Sequence, residues 1–217
     1  MVKAILDWLL WKRKWVLTGL IQKPEFTDKY EDLREDATDN PCDMFNIYSC
    51  AKATDHLKGE IAEVGVYKGG SAKMICRATK KKVHLFDTFE GIPSVSEYDK
   101  KQMGGHFQVG DFNSGTGVMR QFLNENCKIY KGIFPQDTSK WIEKKRFSFV
   151  HLDVDVYKST KESLEFFYPR MVKGGIILSH DYPNSLGVKK AFDEFFKDKE
   201  EYIIELLDKQ GMVVKNN

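Results

Sequence analysis

The sequence contains 217 residues, enough for one domain with a sizeable hydrophobic core. Its 34 basic and 32 acidic residues leave a formal net charge of +2, so charge offers no case for binding nucleic acid. Hydrophobic residues make up 41% and aromatic residues 13%, which is typical of a globular protein and excludes a disordered chain.

The first 43 residues are predicted to form an N-terminal helical extension, followed by a single domain over residues 44–217. Three tryptophans near the N-terminus share one helix face because they are three and four residues apart: Trp8, Trp11 and Trp15. A run of three basic residues interrupts the apolar stretch well short of a membrane span, and no signal-peptide cleavage site follows. We favour packing on the domain or across a homodimer. The alternative is a basic amphipathic helix lying on a membrane surface.

The four cysteines form no C-x-x-C pair. Cys76 falls on a predicted core helix and Cys127 lies just before a predicted strand. Reduced, buried thiols are therefore expected, which points to the cytoplasm.

From residue 44 onward, helical and strand patterns alternate. Helices are predicted over 44–57, 70–80, 116–126, 137–143, 158–168 and 187–198, and strands over 61–66, 83–88, 128–132, 147–154 and 175–180. Residues 202–207 and 212–215 are predicted to form a closing hairpin. This order predicts an α/β fold with a mainly parallel sheet, helices on both faces and an antiparallel C-terminal hairpin. Segment 89–115 is too long for an ordinary connection and suggests a lid or binding loop.

A glycine-rich turn links the first of these strands to a helix, in the sequence IAEVGVYKGGS from Ile61 to Ser71. Strand, glycine turn and helix bring bare backbone close to a ligand in α/β proteins, and the helix N-terminus can hold an anionic group. The spacing differs from G-x-G-x-x-G, because Val66 and Tyr67 stand where the second glycine would fall.

Acidic residues and a histidine concentrate where the predicted strands end: Glu63, Asp87, Asp153, Asp155, His180 and Asp181. Ligands of such sheets bind beyond the carboxyl ends of the strands, and Asp87 stands where a ribose-binding acid would lie. Asp153 and Asp155 share one face of an extended segment, so two carboxylates and a nearby imidazole suggest magnesium or manganese. The alternative is that these aspartates cap helices or pair with a nearby lysine.

Five motifs in this order, EVGVYKGGS, FDTFEGIP, KGIFPQDT, FVHLDVDVYKST and GGIILSHDY, resemble the macrocin-type O-methyltransferases. This family includes mycinamicin and novobiocin sugar methyltransferases. The resemblance, from about Met44 to Phe196, implies a class I (Rossmann-like) fold and a magnesium-dependent transfer of a methyl group from S-adenosylmethionine to a hydroxyl, often on a sugar.

The resemblance also implies roles for individual residues. Glu63, Gly65 and Ser71 would line the methionine end of S-adenosylmethionine, Asp87 would hold its ribose, and Ile133 and Phe134 would flank its adenine. The other implied cofactor contacts are Tyr67, Gly69, Thr88 and Asp153. Asp153, His180 and Asp181 fall on the metal-ligand positions and Asp155 on that of the base.

One departure from the family pattern stands at the metal-ligand positions, where family members commonly carry two aspartates and this chain has His180-Asp181. An imidazole weakens the hard-oxygen argument for magnesium and leaves the metal open.

The expected reaction needs only an acceptor oxygen held in line with the methyl group, a metal that lowers the pKa of the hydroxyl, and a base. Asp155 is the expected base, and His84, His106 and His151 are other candidates, with His151 expected in the core. Two other functions stay open: a nicotinamide-dependent dehydrogenase, disfavoured by the glycine spacing, and a non-catalytic cofactor-binding or membrane-surface accessory protein.

Overall fold

A computed structural model describes residues 23–33, 40–100, 107–122, 126–207 and 209–217. The predicted helix within residues 1–20 and the candidate base His106 lie outside the described residues.

The centre of the protein is a seven-stranded sheet of order β3-β2-β1-β4-β5-β7-β6. Its strands are β1 (Glu60–Val64), β2 (Val83–Asp87), β3 (Cys127–Lys131), β4 (Phe147–Leu152), β5 (Met171–Ser179), β6 (Ile204–Glu205) and β7 (Gly211–Val214). β1 to β5 pair in parallel, whereas β7 runs antiparallel to both β5 and β6. The predicted parallel sheet with an antiparallel C-terminal hairpin is therefore confirmed.

Five α-helices flank the sheet in the described part of the chain: α1 (Pro24–Glu31), α2 (Pro41–Ala53), α3 (Gly70–Ala78), α4 (Tyr157–Phe167) and α5 (Leu186–Phe196). α2 begins after Asn40, whose side chain accepts hydrogen bonds from the backbone N–H groups of Cys42 and Asp43. The side chain of Ser185 caps α5 by accepting from the Val188 N–H. α1 lies within the N-terminal extension that the sequence predicts to be helical, although no separate helix was delimited there.

Successive residues of the strands face opposite sides of the sheet, and each side has its own core. Ile61 of β1 lies in the core that also contains Phe26 of α1 and Met44 of α2. Its neighbour Ala62 lies in the core under α4 and α5, with Phe192. Helices on both faces are thus confirmed. Because α1 packs in the first core, part of the predicted N-terminal extension packs with the main domain. The predicted domain boundary at residue 43 stays a prediction.

Two predicted α-helices are shorter 3₁₀ helices instead. Thr116–Phe122 replaces 116–126 and Ser139–Trp141 replaces 137–143. Glycines at 115 and 117 disfavour a regular α-helix in the first segment, and the second is too short to support one. β4 also ends at Leu152, two residues before the predicted end of its strand.

Candidate active site

A cleft of about 340 Å³ opens at the carboxyl ends of the parallel strands. The strand order reverses at β1, which lies between β2 and β4, and such switch points are where α/β sheets bind ligands. The cleft is lined by twelve of the thirteen predicted site residues: Gly65, Tyr67, Gly69, Ser71, Asp87, Thr88, Ile133, Phe134, Asp153, Asp155, His180 and Asp181. The thirteenth, Glu63, is fully buried beneath it.

The glycine turn after β1 is shaped by contacts within the protein. Gly65 has a φ of +91°, and a Cβ at this position would collide with the backbone carbonyl oxygen of Asp153. Gly69 has a φ of +88°, and its Cβ would lie 2.8 Å from the Phe122 ring. These glycines are therefore required by the close approach of neighbouring chain segments.

Asp87 fastens this turn to the end of β2. Its Oδ2 accepts hydrogen bonds from the backbone N–H groups of Val66, at 2.6 Å, and Tyr67, at 2.9 Å. Its Oδ1 accepts from the Phe89 N–H at 2.5 Å. The sequence predicted that Asp87 lies at the end of an apolar strand and faces a ligand. It did not predict that Asp87 also holds the glycine turn in place.

Glu63 and His151 form a buried pair below the cleft. They lie opposite each other on β1 and β4, both are completely buried, and His151 Nδ1 is 2.8 Å from Glu63 Oε1. The expected core position of His151 is confirmed. His84 is bonded to Glu60 and Tyr130 near the start of β2 and does not line the cleft, so it cannot serve as the base there.

The residues after β4 and β5 bring the acids together. Asp153, His180 and Asp181 each offer a ligand atom, and these atoms lie within 4.8 Å of one another. Asp155 lies close enough to Asp181 for that carboxyl group to raise its pKa. The predicted geometry differs, however: Asp155 follows the end of the strand and has a φ of +61°, so a left-handed turn directs it to the cleft. Asp181, with a φ of +55°, is turned in the same way.

Crowding of the carboxylates perturbs their protonation. Burial raises the pKa of Asp153 to about 7, with further raising by Asp181 and Glu63 and opposition from His151 and Lys209. Burial, reinforced by Asp153 and Asp181, raises the pKa of Asp155 well above its usual value. Asp155 would therefore be ionised at neutral pH only with a cation beside it.

This donor set fits a divalent ion. Two carboxylates and an imidazole converge, and the raised pKa values of Asp153 and Asp155 are consistent with a site that favours a bound cation. Lys209 lies in the β6–β7 turn, and its Nζ is 3.5 Å from Asp181 Oδ1. This basic side chain beside the acidic cluster was not predicted from the sequence. The hairpin carrying it could be predicted, but its position beside the cleft could not.

Segment 89–115 is anchored at several points in its described parts. Asp99 is fully buried and accepts from the backbone N–H of Tyr157 at the start of α4. Backbone hydrogen bonds join Ile92 to both Gly110 and Asp111. Phe112 lines the cleft and packs edge-on against Tyr67, a contact not expected from the sequence.

The sheet order and a cleft at this switch point define a class I methyltransferase domain. In fold, the chain is similar to the O-methyltransferase NovP, with a TM-score of 0.68 and 24% identity, covering 81% of this chain and 80% of that one. It is also similar to CalS11, calicheamicin methyltransferase, with a TM-score of 0.70 and 16% identity, covering 89% and 94% of the two chains.

Two Streptomyces proteins are similar to the chain in sequence. The chain is 28% identical over 154 residues to the 8-demethyl-8-(2,3-dimethoxy-alpha-L-rhamnosyl)-tetracenomycin-C 4'-O-methyltransferase of Streptomyces olivaceus. That match covers 63% of this chain and only 59% of the relative. Identity is 27% over 191 residues to the demethyldecarbamoylnovobiocin O-methyltransferase of Streptomyces niveus, covering 76% and 72%. The macrocin-O-methyltransferase (TylF) family profile matches residues 43–214, and the chain belongs to this family.

Within the described residues, no helix is both long and apolar enough to cross a membrane.

Proposed function

We propose that this protein transfers a methyl group from S-adenosylmethionine to a hydroxyl of a sugar or glycosylated small molecule, with the help of a divalent metal ion. The observation that carries the proposal is the cluster of Asp153, Asp155, His180 and Asp181 beside the glycine turn in one cleft. Family membership supports the reaction class. The names of the two Streptomyces relatives, a rhamnosyl-tetracenomycin and a novobiocin methyltransferase, support a glycosylated acceptor.

The glycine-turn side of the cleft would hold S-adenosylmethionine. Gly65, Tyr67, Gly69 and Ser71 would face its methionine end, with Glu63 supporting them from below. Since Asp87 already accepts three backbone hydrogen bonds, it would bind the ribose with its remaining lone pair while keeping the turn in place.

Thr88 and the Ile133-Phe134 pair would complete the cofactor site at the adenine end. Thr88 donates to the Gly91 carbonyl at 2.7 Å, which holds the start of the long segment against the cleft. Ile133 is 39% exposed and can meet an adenine face, whereas the buried Phe134 supports it from the aromatic core.

The acidic side of the cleft would hold the metal and the acceptor. Asp153, His180 and Asp181 would be the metal ligands, and Mg²⁺ or Mn²⁺ there would bind the acceptor hydroxyl and lower its pKa. Asp155 would accept the hydroxyl proton as the acceptor oxygen forms its bond to the methyl carbon and the carbon–sulfur bond breaks. The cation would also keep Asp155 ionised for this role.

Calorimetric titration distinguishes this proposal from its two alternatives. S-adenosylmethionine should bind in the micromolar range, whereas NAD should not; the reverse result would favour the dehydrogenase. Chelation should then stop methyl transfer to a glycosylated acceptor, and divalent metal should restore it. Cofactor binding without any transfer across a panel of glycosylated hydroxyl compounds would favour the non-catalytic alternative.

The cellular context of this function is also proposed. The four cysteines are present as thiols, which supports a reducing compartment such as the cytoplasm. A homodimer through the tryptophan-bearing N-terminal residues is favoured over contact with a membrane surface. Light scattering on the full chain and on a chain lacking residues 1–20 would test it, because loss of a dimer is expected only in the shorter chain.

A further inference from the structure

The imidazole of His180 is held by elements from three parts of the fold. His180 follows β5, its backbone N–H donates to the Leu152 carbonyl at 2.8 Å, and the residue is only 3% exposed. Its ring meets the His151 ring edge-on, with centroids 6.1 Å apart. The third support is Gln210, which precedes β7 and is completely buried.

Gln210 connects His180 to helix α2. The Asn46 amide donates to Gln210 Oε1 at 2.9 Å, and Gln210 Nε2 lies 3.4 Å from His180 Nδ1. Gln210 Nε2 is also 3.5 Å from the Asp43 carbonyl oxygen. The buried Gln210 amide thus has Asn46 as the partner of its oxygen and shares its nitrogen between His180 and the Asp43 carbonyl, which satisfies both of its polar groups.

The side-chain amides of Gln210 and Asn46 can form hydrogen bonds that suit either neutral tautomer of the His180 imidazole. As placed, Gln210 donates to Nδ1. Turning both amides by half a rotation exchanges their oxygen and nitrogen atoms, so that Nδ1–H donates to Gln210 Oε1 while Gln210 Nε2 donates to Asn46 Oδ1. The exchange gives up the long 3.5 Å contact of Gln210 Nε2 with the Asp43 carbonyl oxygen. In the second arrangement, His180 is the neutral tautomer with an Nε2 lone pair available to an ion. Metal-bound histidines are commonly oriented by such a partner on the other ring nitrogen.

We infer that Gln210, held by Asn46, positions His180 as a nitrogen ligand, and that the site therefore selects a transition metal of the Mn²⁺ and Co²⁺ class over Mg²⁺. Mg²⁺ prefers oxygen ligands, and its binding depends on carboxylate charge. A neutral imidazole in place of a third carboxylate removes one negative charge and supplies a donor that borderline ions prefer. This inference rests on the proposed metal site and specifies which ions it takes.

The test is metal binding to the full chain, measured by calorimetry with Mn²⁺ and with Mg²⁺, alongside pulsed electron paramagnetic resonance of the Mn²⁺ complex. Wild-type protein should bind Mn²⁺ about tenfold or more tightly than Mg²⁺ and show a ¹⁴N coupling to the ion. His180→Asp should lose the coupling and gain Mg²⁺ affinity, so that the preference falls to near unity.

Variants at Gln210 test its positioning role. Gln210→Leu should weaken Mn²⁺ binding about 10- to 100-fold, and Gln210→Glu should restore it because a carboxylate accepts from Nδ1–H. Gln136→Leu is the matched control: Gln136 is exposed and donates to Glu162, so metal affinity should not change. Circular dichroism shows which variants remain folded, and His180→Asp keeps the test decisive if Gln210→Leu does not fold.

Two results would overturn the inference. Mn²⁺ bound without a ¹⁴N coupling would remove His180 from the ligands, and equal Mn²⁺ and Mg²⁺ affinity would refute the proposed selectivity. Either result would leave metal-assisted methyl transfer intact. Failure of any ion to bind, with transfer that survives chelation, would instead overturn the metal part of the proposed function as well.

Discussion

At the scale of single residues, the cleft is assembled from unusual backbone conformations. Tyr67, Asp155 and Asp181 line it with positive φ angles of +47°, +61° and +55°. Such conformations cost energy for non-glycine residues, and aspartate tolerates them better than most. The positions of these three side chains in the cleft therefore offset the energetic cost of the unfavourable backbone conformation.

Asp155→Asn tests the proposed base. Asparagine keeps the shape and tolerates the left-handed conformation but cannot take the proton. We expect methyl transfer to fall about 100-fold or more while affinities for S-adenosylmethionine and Mn²⁺ are kept. Steady-state kinetics and calorimetry measure these, with Asp198→Asn, an exposed change outside the cleft, as control. A variant that first loses Mn²⁺ affinity and recovers its rate at high metal would make Asp155 a ligand instead.

Gly65→Ala tests why the turn needs glycine. The added Cβ would strike the Asp153 carbonyl at an already unfavourable φ of +91°, so the free energy of unfolding should fall by about 2 kcal/mol or more in urea denaturation. Gly110→Ala has a φ of +91° but open space, so it should show the backbone cost alone. Gly117→Ala has neither problem and should be neutral. Equal stability of all three variants would refute the proposed collision.

At the scale of elements, a buried ion pair joins the two ends of the C-terminal hairpin, and Tyr168 connects that pair to the rest of the domain. Glu201 is nearly buried and accepts from Lys215 Nζ at 2.9 Å, from Tyr168 at 2.8 Å and from the Asn216 backbone at 3.1 Å. Burial alone would raise the pKa of Glu201, but these hydrogen bonds outweigh it and lower the pKa to about 2. The hairpin also carries Lys209 and Gln210 to the cleft, so its attachment bears on function.

Glu201→Gln should reduce stability in a pH-dependent way. A carboxylate with a lowered pKa in the folded state stabilises the protein above its unfolded value of 4.5, and this contribution is lost as pH falls towards about 2. We expect the variant to be less stable than wild type by about 2 kcal/mol at pH 7, with the difference shrinking at pH 3. Urea denaturation at both pH values measures it. Glu200→Gln, at an exposed neighbour, should change little, and a pH-independent difference for Glu201→Gln would contradict the assignment.

At the scale of the whole molecule, ligand chemistry is confined to one end of the sheet. The cleft joins the carboxyl ends of all five parallel strands, whereas the opposite end carries the hydrogen-bonded cluster of Glu60, His84 and Lys145. Burial lowers the pKa of His84 despite its hydrogen bond to Glu60. The side chains of Tyr130 and Lys145 complete this cluster, which lies away from the cleft.

Hydrogen exchange should show that a ligand protects only the end of the sheet that carries the cleft. Adding S-adenosylmethionine should slow amide exchange in segments 64–71, 87–92, 132–134 and 153–155, and leave 59–61 and 145–148 unchanged. Mass spectrometry of peptides from the free and loaded protein measures the difference. Protection spread evenly over both ends would point to global stabilisation, and protection only at residues 145–148 would place the ligand elsewhere.

The sequence by itself determined the alternation of strands and helices, the parallel sheet and the glycine turn, because these depend on local periodicity and on where strands end. The twelve predicted residues that line the cleft came partly from the acids at the strand ends and partly from the resemblance to the macrocin-type O-methyltransferases. Only the tertiary structure shows which residues distant in sequence come into contact at the cleft. Gly65 is required by Asp153, Asp87 holds the turn, and Asp155 reaches the cleft through a left-handed turn rather than a strand pleat. Lys209 and Gln210 enter from a distant hairpin. Contacts of this kind join residues far apart in sequence, and no local pattern records them.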